Sequence, residues 1–400
     1  VKNIQGEVGN FSVEIVRHPR YIDESLCIGC GACAEKCPKK IIDTYNVGLS
    51  KRKSAYVEYA QAVPLKYCID GESCIYIQKK KCGACKKLCP VGAVDFDQKE
   101  ETYTLEVGSV ILAPGFEPFD PSKFDTYNYA NSPNVITSME MERILSASGP
   151  TSGHIVRFSD QKEPKKIAWF QCIGSRDLNR CDNSYCSSVC CMYAIKEAVI
   201  AKEHAGDDLD CAIFFMDMRT HGKDFERFYE NARDKNGVRF IRSRVHTIDP
   251  VGDSGDLEVR YVLENGDLVT ETFDMIVLSI GLETSPEVIE LADKLGISMT
   301  DGAFAKTDTF DPVSTSREGI YVCGAFQGPK DIPQSVIDAS AAATSAGEDL
   351  SSARGTLIKT AEVVPETNVI NERPRVGVFV CRCGINIAGT VDVPKVAEYA

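Results

Sequence analysis

The sequence predicts an α/β protein into which a second, cysteine-rich α+β domain is inserted. Two observations carry that prediction. Residues 165–282 alternate strand and helix in the manner of a Rossmann-like parallel sheet, and residues 21–98 contain a run of closely spaced cysteines twice over. Four hundred residues with 43% hydrophobic content suffice for two or three domains with ordinary cores. Disulfide scaffolds are short secreted chains, whereas here at least eight of the 18 cysteines stand in metal-cluster spacing. A reducing, cytoplasmic and anaerobic setting is therefore expected. No apolar run approaches the roughly 18–20 residues of a membrane span, and no signal segment opens the chain. A net charge of -13 disfavours nucleic acid. An acidic electron carrier would need a local basic patch; Lys79 to Lys81 with Lys86 and Lys87 is the nearest, although a solvated surface run has the same look.

In chain order, Phe11 to Val16 alternates like a strand with no preceding domain to belong to. The cysteines follow: Cys27-x2-Cys30-x2-Cys33-x3-Cys37-Pro38, then Cys74-x7-Cys82-x2-Cys85-x3-Cys89-Pro90. This pair is the signature of a two-cluster bacterial-type ferredoxin, in which each [4Fe-4S] cluster takes three nearby thiolates and one distant one. Tyr21-Ile22-Asp23 before Cys27 is echoed by Tyr67-Cys68-Ile69-Asp70 before Cys74. Cys74 is thus the counterpart of Cys27, the second copy carries five extra residues around Ile75 to Lys81, and Cys68 is a spare thiol. The crossover rule assigns Cys27, Cys30, Cys33 and Cys89 to one cluster and Cys74, Cys82, Cys85 and Cys37 to the other. Zinc also takes Cys-x2-Cys, but as two separated pairs. A dithiol redox centre at Cys82-Gly83-Ala84-Cys85 is opposed by the Cys89-Pro90 that follows and by the repeat.

Beyond the insertion, Tyr103 to Val107 reads as a strand leading into Gly108-Ser109-Val110-Ile111-Leu112-Ala113-Pro114-Gly115, which is similar to the second FAD signature of two-dinucleotide-domain flavoproteins. Strands are then expected at Lys166–Phe170, Cys211–Met216, Val238–Ser243 and Met275–Ile280. Helices are expected at about Ser187–His204 and Asp224–Asp234, and a hairpin turning at Asn265-Gly266. The turn after the first strand, Gln171-Cys172-Ile173-Gly174-Ser175-Arg176-Asp177, has one glycine where a dinucleotide site needs three, so nicotinamide binding is expected to be lost. Cys172, Cys181, Cys186, Cys190 and Cys191 take its place. Five cysteines in twenty residues point to a third iron-sulfur cluster rather than to isolated core thiols.

A flavin-domain pattern returns with Gly319-Ile320-Tyr321-Val322-Cys323-Gly324-Ala325, then Lys330-Asp331-Ile332-Pro333 and a helix from Gln334 to about Asp349. Proline in its first turn suits a helix start, and the N-terminal amides would face a flavin; a plain core helix is the alternative. Residues 351–374 read as a linker. Val376 to Val380 reads as a new strand, leading to Cys381-Arg382-Cys383-Gly384 and the opening of a helix.

These motifs, with Tyr185-Cys186-Ser187-Ser188-Val189-Cys190-Cys191-Met192-Tyr193-Ala194-Ile195-Lys196 and Gly328-Pro329-Lys330-Asp331-Ile332-Pro333, closely resemble the A subunit of heterodisulfide reductases over nearly all of residues 1–350. The resemblance implies a two-dinucleotide-domain, thioredoxin-reductase-like flavoprotein fold: FAD domain at 1–20, 99–164 and 283–350, inserted ferredoxin domain at 21–98, Rossmann-like domain at 165–282. It implies that Cys172, Cys186, Cys190 and Cys191 hold the third cluster, leaving Cys181 out. It places Lys196 beside the flavin, with Glu142 as acidic partner, Glu140 as second choice, and a solvent-facing helix residue as the plain reading of either. Ala113, Gly115, Gly324, Ala325, Asp331, Ile332 and Ser335 complete the expected flavin contacts. The glycine-rich FAD strand and cluster domain of the family are missing before Val1. Residues 375–400 resemble the start of that same cluster domain, so a tandem arrangement in a longer polypeptide is expected.

The function expected from the resemblance is electron transfer between FAD and three [4Fe-4S] clusters within a large hetero-oligomeric complex, with flavin-based bifurcation. Expected partners are heterodisulfide reductase B- and C-like subunits, a hydrogenase or formate dehydrogenase adaptor, aromatic-ring reductase subunits, and ferredoxin. The rivals are a non-bifurcating iron-sulfur relay linking two enzymes, and an NAD(P)H-dependent disulfide reductase.

Overall fold

A computed structural model describes residues 1–206, 208–381, 387 and 391–400. It divides into two compact units: Val1–Ile15 with Tyr103–Ser351, and Val16–Thr102 with Ser352–Ala400.

The first unit is built on a five-stranded parallel sheet, in the order Val135–Thr137, Met275–Ile280, Lys166–Ile173, Asp210–Phe215, Arg239–Arg242. Its central strands read as unbroken apolar runs because a parallel sheet is covered on both faces, and Ile167 to Phe170 and Met275 to Leu278 are fully buried. The connecting helices are Ser138–Leu145, Cys190–Ala205 and Phe225–Asp234. One core cluster gathers Phe119, Phe124, Tyr127, Phe170, Phe214, Tyr261 and Phe273. The expected hairpin forms from Asp256–Val262 and Leu268–Phe273, with Asn265-Gly266 in the connection.

The same unit draws its other core from both sides of the insertion. Ile4, Phe11 and Val13 pack with Leu112, Ile320, Val322 and Phe326. There Val110–Leu112 pairs in parallel with Ile320–Val322, and Asn3–Glu7, Asn10–Arg17 and Glu101–Val107 make a three-stranded sheet. The strand Asn10–Arg17, before the insertion, thus has one of its two partners after it.

In the second unit, short hairpins and helices surround the cysteines. Gly31 and Gly83 precede the helices Ala32–Glu35 and Ala84–Leu88 with φ of 81° and 89°, a left-handed geometry that glycine adopts without the Cβ clash of other residues. The five extra residues of the second copy become the helix Ile75–Lys79. Ile22, Ala55, Ile69, Val94 and Phe96 form the core.

Three expectations change. The helix expected from Ser187 begins at Cys190, because Ser188 has φ 63° and cannot belong to a right-handed helix. The strand expected to end at Phe170 runs on to Ile173 across an irregularity that puts Cys172 at φ 63°. Val376 to Val380 forms no strand: no described segment pairs with it, and Phe379 is 99% exposed. A strand needs a ladder partner for its backbone groups. Cys383, expected to belong to a cluster-type motif, lies outside the described residues.

Candidate cofactor cleft and cysteine sites

Two hollows lie among the ferredoxin-like cysteines. Cys27, Cys30, Cys33 and Cys89 line one, with about 310 Å³ of empty space; Cys37, Cys74, Cys82 and Cys85 line the other, with about 360 Å³. The rest of each wall is largely apolar, from Ile22, Ala93 and Val94 in the first and Ala55, Ile69 and Ile75 in the second. Burial, with the charges of Cys27 and Cys85, pushes the Cys33 thiol up to about 12; burial, with Cys74 and Cys37, takes Cys85 to about 11. Among the described residues no three Cys, His, Asp or Glu side chains converge on a single ion. Four sulfurs around a hollow fit a cluster, which offers each thiolate its own iron. Cys68 lines neither hollow and instead donates to the Tyr56 carbonyl, 3.7 Å away.

A third thiol group forms in the first unit. Cys190 and Cys191 occupy the first turn of the helix Cys190–Ala205; Cys190 feels the charges of Cys172, Cys191 and Cys186, and Cys191 those of Cys172 and Cys186. Burial pushes the thiols of Cys172 and Cys190 up and takes Cys191 to about 11. Such thiols ionise on taking up metal, which supplies the compensating charge. The residues therefore fit a cluster held by these four. Cys181 faces elsewhere: its Sγ donates to the Asp177 carbonyl at 3.3 Å, and it packs against the aromatic core. Nearby, a Cβ on Gly174 would fall 2.0 Å from Phe119 Cγ, so the Phe119 ring packs directly on that glycine and leaves no room for a side chain there.

This unit also holds a cleft with about 2060 Å³ of empty space. Ala113 and Gly115 border it from one side and Cys323, Gly324 and Ala325 from the next strand end. The N-terminal turn of the helix Ile332–Asp349 forms another wall through Asp331, Ile332, Pro333 and Ser335. Asp331 caps that helix, its side chain accepting from Gln334 N at 2.9 Å, which leaves other first-turn amides and the positive dipole end for a ligand. Opposite stand Met192, Tyr193 and Lys196 of the cysteine helix, with His221, Lys223, Phe225 and Phe228 beyond. Lys196 Nζ lies 2.9 Å and 3.0 Å from the two carboxylate oxygens of Glu142. Glu140 is engaged in a capping box with Thr137 and also meets Tyr129. Of the two candidate acids the structure thus brings only Glu142 to Lys196.

Small residues at two strand ends, apolar walls, a helix N-terminus and a lysine form a cradle that fits a flavin. The residues expected there from the sequence all line it, save Glu142, which reaches it through Lys196. Phe116, Met192, Tyr193, His221, Lys223, Phe225, Phe228 and Lys330 were not foreseen. For Met192 and Tyr193 a signal existed, since they precede Lys196 by four and three residues and so share its helix face.

Comparison with known proteins adds the relatives. Residues 194–343 match the pyridine nucleotide-disulphide oxidoreductase family and residues 20–43 the 4Fe-4S binding domain. The chain is 42% identical over 349 residues to the iron-sulfur A subunit of the CoB–CoM heterodisulfide reductase of Methanocaldococcus jannaschii, covering 86% of this chain and 52% of that one. It is 44% identical over 355 residues to the second form of the same A subunit in Methanopyrus kandleri, covering 88% and 53%. The chain belongs to the family of heterodisulfide reductase A subunits. It spans about half the length of these curated relatives. The A subunit of the H2:CoB-CoM heterodisulfide,ferredoxin reductase of Methanothermobacter thermautotrophicus is 39% identical over 351 residues, covering 86% and 52%. Among solved structures, thioredoxin reductase of T. acidophilum aligns with TM-score 0.40 and 17% identity over 62% of this chain and 69% of that one. The two family matches place a pyridine nucleotide-disulphide oxidoreductase segment and a 4Fe-4S segment in one chain. No described helix is long and apolar enough to cross a membrane.

Proposed function

We propose that this chain is the flavin-centred, electron-dividing part of a heterodisulfide reductase-like complex, with FAD in the cleft. Two [4Fe-4S] clusters would sit in the ferredoxin-like hollows and a third on Cys172, Cys186, Cys190 and Cys191. One observation carries this reading. The helix Cys190–Ala205 lends Cys190 and Cys191 to the thiol group and Met192, Tyr193 and Lys196 to the cleft, so the lysine stands five positions, roughly 7.5 Å of helix rise, beyond the last cysteine. A flavin exchanges electrons in pairs and each cluster singly, so the cleft is where a pair would be divided.

The chain's own groups prepare that division. Lys196 Nζ, held by both Glu142 oxygens, sets a cationic side chain at the cleft wall, which favours negative charge arriving there. Met192, Phe225 and Phe228 line the cleft with apolar side chains. The name of the Methanothermobacter relative joins H2, a heterodisulfide and ferredoxin, which supports ferredoxin as the one-electron partner and heterodisulfide reductase B- and C-like subunits with a hydrogenase or formate dehydrogenase adaptor as neighbours.

Anaerobic purification with iron, sulfide and flavin quantified together tests the cofactor set: about twelve irons per chain are expected from three cubanes, and about eight would remove the third cluster. Replacing Lys196 by Ala should abolish simultaneous reduction of two acceptors while simple dye reduction persists. Survival of both activities would reject the dividing role and leave a relay.

A further inference from the structure

The two ferredoxin-like repeats are alike in their cysteines but opposite in charge, and none of the roles above uses that difference. From Gly71 to Gly92 the second copy carries five lysines, Lys79, Lys80, Lys81, Lys86 and Lys87, against one acid, Glu72, a net +4 in a chain of net charge -13. From Asp23 to Pro38 the first copy carries three acids, Asp23, Glu24 and Glu35, against Lys36, a net -2. All five lysines of the second copy are exposed, and among the described residues none of them makes an ion pair. The lysines beside the first hollow are already engaged: Lys36 pairs with Glu35 at 2.5 Å, and Lys66 donates to the Cys27 carbonyl.

The free lysines gather at the second hollow. Lys79 ends the helix Ile75–Lys79, which starts directly after Cys74; Lys81 precedes the exposed Cys82; Lys86 and Lys87 follow Cys85 in the helix Ala84–Leu88. Two of them lie over an aromatic pair: Tyr76, which lines the hollow, stacks on Phe96 with ring centroids 4.1 Å apart. Lys80 Nζ is 5.4 Å from the Tyr76 centroid and Lys86 Nζ 5.9 Å from that of Phe96, within reach of cation–π attraction. Lys39 lines the same hollow. At the first hollow exposed apolar side chains stand instead, Ile28 and Val91 in its lining and Leu65 against Gly29. Cys30 is exposed there as Cys82 is in the other, so access does not separate the two sites, and charge does.

We infer that the lysine-bearing face of the second hollow, and not the first, is where an acidic one-electron carrier of ferredoxin type docks. The exchange moves one electron from the reduced cluster to the oxidised carrier, with no bond made or broken and no proton moved. A negatively charged carrier is repelled by the chain as a whole, so a local field of opposite sign selects the face it approaches, and salt screens that field. Electron-transfer encounters are small and weak, which suits free surface cations better than a dry apolar rim. This inference rests on the reading of ferredoxin as the one-electron partner.

The test titrates an oxidised, acidic bacterial-type ferredoxin into the full chain, purified anaerobically with its iron counted, and reads Kd by calorimetry at low and at high salt. Binding of the wild-type chain should weaken as salt rises. Lys80→Gln with Lys81→Gln and Lys86→Gln should keep the iron and raise Kd about tenfold at low salt. Arginine at the same three positions should restore Kd, since charge is what attracts the carrier, and Lys36→Gln beside the first hollow should leave it unchanged. Electron transfer to the same ferredoxin, from chain reduced with dithionite and desalted, should slow in step with binding in the glutamine variant, while transfer to a neutral dye stays the same. A salt-sensitive wild-type Kd that the glutamine variant matches overturns this face, and so does a wild-type Kd that salt leaves unmoved. A wild-type chain with full iron that neither binds nor reduces the ferredoxin overturns the partner reading itself.

Discussion

Glu197 is a fully buried acid one residue from the lysine of the cleft. Trp169 Nε1 donates to its Oε2 at 2.8 Å, while Oε1 has no partner. Burial, and then the charge of Glu142, hold its carboxyl well above the usual range. The folded state therefore keeps a proton that the unfolded chain releases near 4.5, and linkage makes stability fall as pH rises above that value. The fall can reach about 1.4 kcal/mol per pH unit. Glu197→Gln should flatten the decline of the thermal midpoint between about pH 5 and pH 8; identical slopes for the two proteins would show that Glu197 is ionised in the fold. Lys196 and Glu142, by contrast, are partly exposed, with 49% and 34% of their side chains accessible. Their effect belongs to the cleft rather than to stability.

The helix Ser138–Leu145 shows how an element assigns roles to neighbouring residues. Thr137 Oγ1 accepts from Glu140 N at 3.2 Å, and Glu140 Oε2 accepts from Thr137 N at 2.6 Å. This reciprocal cap turns Glu140 back over the helix start and leaves Glu142, further along, to meet the cysteine helix through Lys196. Glu140→Ala should lower stability by about 1 kcal/mol, within the range for a lost cap, as read by urea denaturation. Glu142→Ala should change stability less and flavin reduction more; the reverse ranking would exchange their roles. From sequence the two acids were separable only by preference, because the pattern Thr137-x-x-Glu140 signals a cap but does not say what lies opposite Glu142.

At the level of the whole chain, the two ferredoxin-like motifs exchange their fourth cysteines. Cys89 lies in the same hollow as Cys27, Cys30 and Cys33, and Cys37 in that of Cys74, Cys82 and Cys85. Cys89→Ala should cost about four irons, and adding Cys27→Ala should cost no more, whereas adding Cys74→Ala should raise the loss to about eight. Equal losses in the two double variants would mean that the motifs do not cross.

Spacing is local, and local chemistry is what a sequence records best. The cysteine repeat, the alternation of strands and helices, the Asp331-Ile332-Pro333 helix start and the single glycine of the turn at Gly174 were all legible, because each depends on residues a few positions apart. The contacts that bring distant segments together were not. No pattern links Phe119 to Gly174, Glu142 to Lys196 across 54 positions, or Asp217 to the guanidinium of Arg176, since each requires the parallel sheet to set strand ends side by side. Even the start of the cysteine helix depended on the fold, which holds Ser188 in a left-handed turn between Cys186 and Cys190. The ligand types therefore belong to the sequence. Which of them meet, and which charges surround them, belongs to packing, because side chains far apart along the chain acquire neighbours only when the core closes.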